Sequence, residues 1–209
     1  MAFTGNAAAA GPLRRASLNN ERTVMSAHTC PWWLGYFLVS PLRRWIEDPA
    51  AYFGPHVRPG MRVLEPGPGM GYFTLALARM VGPAGRVVAV DVQPRMLDVL
   101  QRRARRARLA DRIEARCCAP GSLGIDDLAG TFDLAVVIHM LHEVDDKAAF
   151  LQAIRAALKP GGGVVVVEPR GHVSPEAFQT ELNYAAGAGL VMVEPPRDRA
   201  LRALLRRPA

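Results

Sequence analysis

From Met61 onward, short apolar runs alternate with segments whose apolar residues recur at helical spacing. Short apolar runs rich in valine predict buried strands, and the segments between them predict amphipathic helices. Strands joined through helices pair in parallel, because the helix carries the chain back across the sheet. The pattern therefore predicts an α/β fold with a doubly wound, mainly parallel sheet. Its functional loops are expected at the carboxyl ends of strands one, two and four. The strands are expected at 61–66, 86–92, 113–118, 132–139, 164–169 and 190–195, with a candidate seventh at 199–207, and the helices at 70–81, 94–109, 145–158 and 174–189.

Local signals predict where several of these helices begin and end. Pro94 suits the first position of a helix, and Ser174 is a favourable N-cap followed by proline and glutamate. The glycines at 161–163 follow the helix predicted at 145–158. We expect them to end that helix by adopting positive φ, and the next strand to begin only at residue 164.

The chain divides into three parts by composition. Residues 1–27 are rich in alanine, glycine, asparagine, arginine and serine and show no clean period, which predicts a flexible lead. Residues 28–60 are rich in aromatic residues and contain several prolines, which predicts short helical pieces. Residues 61–209 hold the alternating pattern. We interpret the middle part as a lid over the last, since the last part contains no long insertion of its own.

The aromatic segment allows three interpretations. It contains every tryptophan of the chain, and these side chains can simply pack against the sheet. They can also line an apolar or aromatic substrate pocket, in which case Trp33 and Tyr36 are the candidates to contact substrate. Tryptophans beside Arg43 and Arg44 also suit weak contact of 32–45 with a membrane interface.

Composition narrows the class of protein. The formal net charge is +7, and the densest arginine run spreads around the helix predicted at 94–109, as a solvated face would. Nucleic acid is therefore disfavoured as a partner. Three cysteines exclude a disulfide scaffold, and no apolar run reaches the length of a membrane span. The N-terminus lacks the pattern of a signal peptide, so a cytoplasmic location is the default expectation.

A glycine-rich turn follows the first predicted strand. Glu65 precedes Gly67, Gly69 and Gly71 at alternate positions, so a ligand can approach bare backbone where the next helix begins. Asp91 ends the second strand, where a carboxylate can accept both hydroxyls of a ribose. Dinucleotide oxidoreductases use the longer G-x-G-x-x-G spacing, and an acid beside a pyrophosphate is unfavourable. An acid is favourable beside an ammonium group, so the turn favours S-adenosylmethionine over a nicotinamide dinucleotide.

With these motifs in order, the sequence resembles the class I S-adenosylmethionine-dependent methyltransferases, in particular their small-molecule type 11/25 branch. The resemblance covers roughly residues 57–207 and implies a Rossmann-like, seven-stranded sheet with S-adenosylmethionine as cofactor. It is carried by VLEPGPGMGYFT (63–74), VVAVDVQPRML (87–97), FDLAVVIHMLHEVDD (132–146) and LKPGGGVVVVEP (158–169). The cofactor-binding residues it implies are Glu65, Gly67, Gly69, Gly71, Asp91, Val92, Cys118, Ala119, Ile138 and His139. Cys118 stands where the family usually has an acid.

Three residues after strand four are candidates for the chemistry. Methyl transfer needs a base only if the nucleophile arrives protonated. His139 is the first candidate as base or substrate-orienting residue, and His142 and Glu143 are the others. The H-x-x-H spacing alone lacks further ligands, so no metal site is predicted. His28 and Cys30 leave open a metalloid acceptor held by thiols.

The sequence thus predicts a methyltransferase that acts on a small, apolar or aromatic molecule by in-line displacement. A non-catalytic S-adenosylmethionine-binding protein is the first alternative, and an NAD(P)-dependent oxidoreductase is disfavoured by the glycine spacing. A metalloid, a lipid or quinone, or an RNA acceptor remains open, as do the acceptor atom and the oligomeric state.

Overall fold

The structure is a computed structural model that describes residues 47–196 and 201–209. Strands and helices alternate through this part of the chain, which confirms the order expected from the sequence. The strands are β1 (Arg62–Pro66), β2 (Arg86–Asp91), β3 (Ile113–Cys117), β4 (Phe132–Ile138), β5 (Leu158–Val167), β6 (Val191–Glu194) and β7 (Arg202–Arg206). The helices are α1 (Pro49–Phe53), α2 (Tyr72–Met80), α3 (Pro94–Arg106), α4 (Lys147–Ala157) and α5 (Pro175–Gly187).

The seven strands form one sheet in the order β3-β2-β1-β4-β5-β7-β6. Strands β1 to β5 pair in parallel, whereas β7 runs antiparallel to both β5 and β6. The doubly wound, mainly parallel sheet is therefore confirmed, as is the candidate seventh strand. The strand order reverses between β1 and β4, and ligands of open α/β sheets bind at the carboxyl ends of strands beside such a point.

The central strands are buried on both faces, as their nearly unbroken apolar runs predict. Val63 and Leu64 on β1 and Val136 and Val137 on β4 have no exposed surface. Successive side chains of a strand point to opposite faces, so these pairs feed two apolar clusters, one on each side of the sheet. The helices cover both clusters and leave the strand ends as the place for a site.

Strand β5 differs from the prediction. It begins at Leu158, directly after α4, and ends at Val167, so it starts six residues before the expected 164. Gly161 alone among the three expected glycines has positive φ, at +76°. The prediction that these glycines end the helix was wrong, because β7 draws them into the sheet: the Gly161 N–H donates to the Arg207 carbonyl (3.0 Å), and the Arg207 N–H donates to the Gly162 carbonyl (2.8 Å).

The described part of the aromatic-rich segment is docked on the sheet domain. Asp48 caps α1 by accepting from the Ala50 N–H (2.9 Å). Phe53 is fully buried and meets Phe73 of α2 edge to face, with ring centroids 5.7 Å apart. The Arg202 guanidinium of β7 donates to the Ala51 carbonyl at 2.8 Å. This short helix therefore completes the core beside β1 and β7.

Two surface features bear on the expectations about partners. In the arginine run of α3, Arg103 alone is half-buried, and its guanidinium donates to the Met70 carbonyl behind the glycine turn; the other arginines of the run are exposed. That run therefore forms a solvated helix face, with one member bracing the turn. In the part of the chain that the structure describes, no helix combines the length and apolar character needed to cross a bilayer.

Candidate active site

The glycine turn between β1 and α2 is open toward solvent at its centre. Gly67, Gly69 and Gly71 all have positive φ, at 63°, 52° and 81°. A Cβ on Gly69 would have no neighbour within 4 Å, whereas one on Gly71 would lie 2.8 Å from the Leu100 side chain. Gly71 thus permits close packing of the turn against α3, and Gly69 leaves free space above the backbone at the start of α2. A ligand can rest against that backbone.

Glu65 lies beneath this turn with only 2% of its surface exposed. Its Oε2 atom has no hydrogen-bond partner among the described residues. Burial raises the pKa of Glu65 to about 8, with Thr74 opposing the increase and the charge of Asp91 adding to it. A buried carboxyl with an unused acceptor is costly unless a donor arrives. The position therefore fits a cationic ligand group, such as the ammonium of an amino acid.

Asp91 ends β2 beside the same turn. One of its oxygens accepts from the Gln93 N–H (2.9 Å) and the other from the Gly69 N–H (3.3 Å). Burial raises the pKa of this carboxyl, while both hydrogen bonds oppose the increase. Val92 follows with 38% of its surface exposed, an apolar side chain that the core leaves open. An acid fixed by the turn next to an exposed apolar side chain suits a ribose and its base.

The end of β3 lies next to Asp91. The Cys118 N–H donates to the Asp91 carbonyl (3.1 Å), and Ala119 is exposed in the following turn. Burial, with the charge of Asp91 adding to it, raises the pKa of the Cys118 thiol to about 11. The thiol is therefore neutral at physiological pH. It cannot supply the charge of the acid that it replaces.

Ile138 and His139 form the end of β4. Ile138 is buried, and His139 adopts a left-handed backbone conformation with φ of 54°. The His139 ring lies across the edge of Phe73, and its Nδ1 is 3.3 Å from Oε1 of Glu47. The Glu47 carbonyl also accepts from the Tyr72 hydroxyl (2.8 Å). His139 thereby connects the strand end with the segment that precedes α1.

The short turn Leu141–Glu143 carries the other two candidates. His142 Nδ1 lies 2.6 Å from Oε2 of Glu168, the first residue after β5. Glu143 lies on the opposite side of the ring, with 3.9 Å between its Oε1 and His142 Nε2. The sequence reasoning did not single out Glu168, although an acid directly after a run of four valines is a detectable signal. It also did not single out Glu47 or the buried Glu181.

The substrate-contacting candidates Trp33 and Tyr36 lie outside the described residues, as do His28, Cys30 and the segment 32–45. Among the residues that are described, no group of three or more histidine, cysteine or acidic side chains is arranged to hold a metal ion.

Comparison with known proteins indicates the class of protein to which this fold and site correspond. Residues 63–162 match the family model described as a methyltransferase domain. A methyltransferase from Aquifex aeolicus described as S-adenosylmethionine-dependent has the same fold, with a TM-score of 0.74 and 20% identity over 85% of this chain and 98% of that one. A second such structure, from Methanococcus maripaludis, gives a TM-score of 0.69 at 18% identity over 85% of this chain and 90% of that one. Residues 63–162 thus match a methyltransferase domain, and the described part of the chain has the fold of S-adenosylmethionine-dependent methyltransferases.

More particular relatives are found among curated proteins. The ubiquinone/menaquinone biosynthesis C-methyltransferase UbiE of Pasteurella multocida is 33% identical over 112 residues, which is 54% of this chain and 41% of that protein. The protein of the same name from Cellvibrio japonicus is 33% identical over 127 residues, 59% of this chain and 50% of that protein. The similarity thus spans about half the length of these curated relatives.

Proposed function

We propose that the protein transfers a methyl group from S-adenosylmethionine to a small, apolar or aromatic acceptor, with a quinone-type ring as the first candidate. One observation carries the proposal. The open glycine turn, the unpartnered carboxyl oxygen of Glu65 and the fixed carboxylate of Asp91 meet at one edge of the sheet. Of the comparisons, the resemblance to proteins named UbiE supports the ring acceptor.

Each proposed cofactor contact uses a feature of this chain. The backbone of Gly67, Gly69 and Gly71 and the Glu65 carboxylate hold the amino-acid end, since these groups suit an ammonium and a carboxylate. The Asp91 oxygens accept the ribose hydroxyls. Val92 packs on the adenine, and the backbone at Cys118 and Ala119 contacts its edge, because the neutral thiol cannot replace an acid. Ile138 and His139 form the floor beneath the sulfonium.

Methyl transfer requires little covalent chemistry from the protein. Bound S-adenosylmethionine supplies a methyl group on a positively charged sulfur. The chain contributes alignment of the acceptor with the methyl–sulfur bond and exclusion of water. His139 is held by Glu47, which suits a role in positioning the acceptor and closing the floor. His142 and Glu143 border the same strand end and are the proposed residues for proton transfer.

Two further expectations remain part of the proposal. A lid formed by 28–60, with Trp33 and Tyr36 toward the acceptor, would exclude water from the site. Weak contact of 32–45 with a membrane interface would suit a lipophilic ring acceptor. The protein is expected to act in the cytoplasm.

Calorimetric titration with S-adenosylmethionine and S-adenosylhomocysteine tests the proposal, with NADH as the control ligand. We expect binding that Asp91→Asn weakens about 10- to 100-fold, since hydrogen bonds to a charged group contribute about 1.5–3 kcal/mol. The exposed carboxylate of Asp98 on α3 gives a matched control, and Asp98→Asn should bind normally. Absence of binding by either adenosyl ligand refutes the proposal. Binding without transfer of labelled methyl to any ring acceptor favours the non-catalytic alternative.

A further inference from the structure

The buried carboxylate of Glu168 is hydrogen-bonded to the imidazole of His142. The Glu168 side chain has no exposed surface, whereas a quarter of the His142 side chain is exposed (24%). Oε2 of Glu168 lies 2.6 Å from His142 Nδ1. Oε1 accepts from the backbone N–H groups of Leu141 (2.8 Å) and His142 (3.3 Å). The carboxylate therefore fixes both the turn and the ring that the turn carries.

This arrangement determines which ring nitrogen carries the proton. A carboxylate surrounded by N–H donors accepts the third hydrogen bond from Nδ1–H. In the neutral imidazole the lone pair is then on Nε2, the nitrogen that faces away from Glu168. A lone pair on Nε2 of a ring that is 24% exposed, with an acid on Nδ1, is the arrangement of a general base with its orienting group.

Several charged groups among the described residues surround the ring. The hydrogen bond that His142 donates to Glu168 is the largest cause that raises the pKa of His142, and burial opposes it. Glu143 on the same turn and Glu181 on α5 also raise it, and the ring of His172 lies 6.3 Å away. Lys147 at the start of α4 is turned toward the backbone carbonyls of the turn, with 2.8 Å from its Nζ to the Val144 oxygen. The surroundings thus favour proton uptake at Nε2.

The turn that carries His142 borders the proposed cofactor site. A Cβ on Gly67 would lie 3.4 Å from the Met140 side chain, so the chain just before the turn packs over the glycine loop. Glu143, next to His142, is close enough for its charge to raise the pKa of Asp91. A proton acceptor on this turn is therefore placed at the edge of the sheet where the acceptor would meet the methyl group.

We propose, as an extension that rests on the proposed function, that His142 Nε2 is the general base and Glu168 its positioning residue. The acceptor is then one with a phenolic or enolic hydroxyl, because a neutral amine attacks without losing a proton first. The hydroxyl proton moves to Nε2, and the acceptor's electron pair forms the bond to the methyl carbon. The carbon–sulfur bond breaks with its pair staying on sulfur, and the imidazolium later releases the proton to solvent. One proton is released per methyl group whether oxygen or an activated ring carbon is methylated.

The tautomer can be measured without any acceptor. In protein with ¹⁵N-labelled histidine, the ring-nitrogen shifts of His142 should show a protonated Nδ1 and a bare Nε2 at high pH, with His142→Asn identifying the signals. Glu168→Gln keeps an oxygen for the Leu141 N–H but presents an amide donor to Nδ1, so the proton should move to Nε2. Glu176→Gln, which alters an exposed acid of α5, is the matched control and should leave the His142 signals unchanged. Unchanged His142 signals in Glu168→Gln overturn the proposal.

Methyl-transfer kinetics test the roles of His142 and Glu168 with two acceptor probes, 1,4-naphthohydroquinone and 1-naphthylamine. We expect methylation of the hydroquinone, with kcat lowered about 10²- to 10⁴-fold in His142→Asn and Glu168→Gln and binding of S-adenosylhomocysteine retained. Wild-type kcat should rise with pH through the raised pKa of His142. Any residual activity of Glu168→Gln should also rise with pH, but its midpoint should lie at a lower pH than that of the wild type. Methylation of the amine alone, or full activity of His142→Asn, overturns the proposal. Failure of the proposed function would instead appear as lost binding of both adenosyl ligands in the wild type.

Discussion

Cofactor binding should release a proton from Glu65. With a pKa of about 8, the buried carboxyl is about nine-tenths protonated at pH 7 before the cofactor binds. The ammonium group of the ligand then favours the carboxylate, because an opposite charge at short range stabilises the ionised form. Release should therefore be about 0.9 proton per ligand at pH 7 and about 0.5 at pH 8.

Calorimetry in buffers of contrasting ionisation enthalpy measures this number directly. The observed enthalpy of S-adenosylhomocysteine binding, plotted against the buffer's ionisation enthalpy, has the proton count as its slope. Glu65→Gln removes the titrating group and should abolish the release. Wild type with 5′-methylthioadenosine, which has no ammonium group, should also show none. A zero slope for the wild type at pH 7, or an equal slope for Glu65→Gln, would refute the assignment of Glu65 to the ammonium.

Three other predictions follow from the described contacts. Gly71→Ala should lower the free energy of unfolding, measured by urea denaturation, by about 2–4 kcal/mol, because the left-handed backbone is strained and the new Cβ lies 2.8 Å from Leu100. Gly69→Ala should lose only the stability due to backbone strain, but it should weaken S-adenosylhomocysteine binding. Equal losses of stability in the two variants would contradict the different surroundings of the two glycines. Burial raises the pKa of Glu181 to about 7, so the folded state favours the protonated form, and stability should fall as pH rises from about 4.5 through 7. Glu181→Gln should reduce the accompanying fall in melting temperature. An unchanged pH profile of the melting temperature in this variant would count against the raised pKa. A double-mutant cycle on Glu47 and His139 should give a coupling of about 0.5–1 kcal/mol, whereas strict additivity would mean that the 3.3 Å pair contributes nothing.

The sheet and the glycine turn were predictable because their signals are local. Continuous apolar runs gave the central strands to within one or two residues, and the Ser174 side chain caps its helix as expected, accepting from the Ala177 N–H at 3.2 Å. The start of β5 was not predictable from its own residues. Lys159 to Gly163 have weak strand propensity. Gly161 to Gly163 are held in the sheet by Arg207 and by pairing of Gly163 with β7, more than 40 residues later in the sequence.

The same distinction applies to the candidate site. Residues on the turn and at strand ends were identified from position alone, since parallel strands place their carboxyl ends at one edge. Their partners were not, because neither the Glu168–His142 contact nor the Glu47–His139 contact follows from periodicity. Both join residues that are far apart in sequence, and each requires the whole strand order to be known.

The docking of α1 has a consequence for where a self-sufficient polypeptide can begin. The alternating pattern starts near Met61, but the ring of Phe53 fills space against Phe73, and Arg202 near the end of the chain binds the Ala51 carbonyl. A truncated gene product starting at residue 61 would expose the face of Phe73 to water and leave Arg202 without this acceptor. Replacing a buried phenylalanine by a small side chain costs about 3–5 kcal/mol. The minimal autonomous unit therefore includes α1 and its Asp48 cap, so the described end of the aromatic-rich segment is itself part of the core.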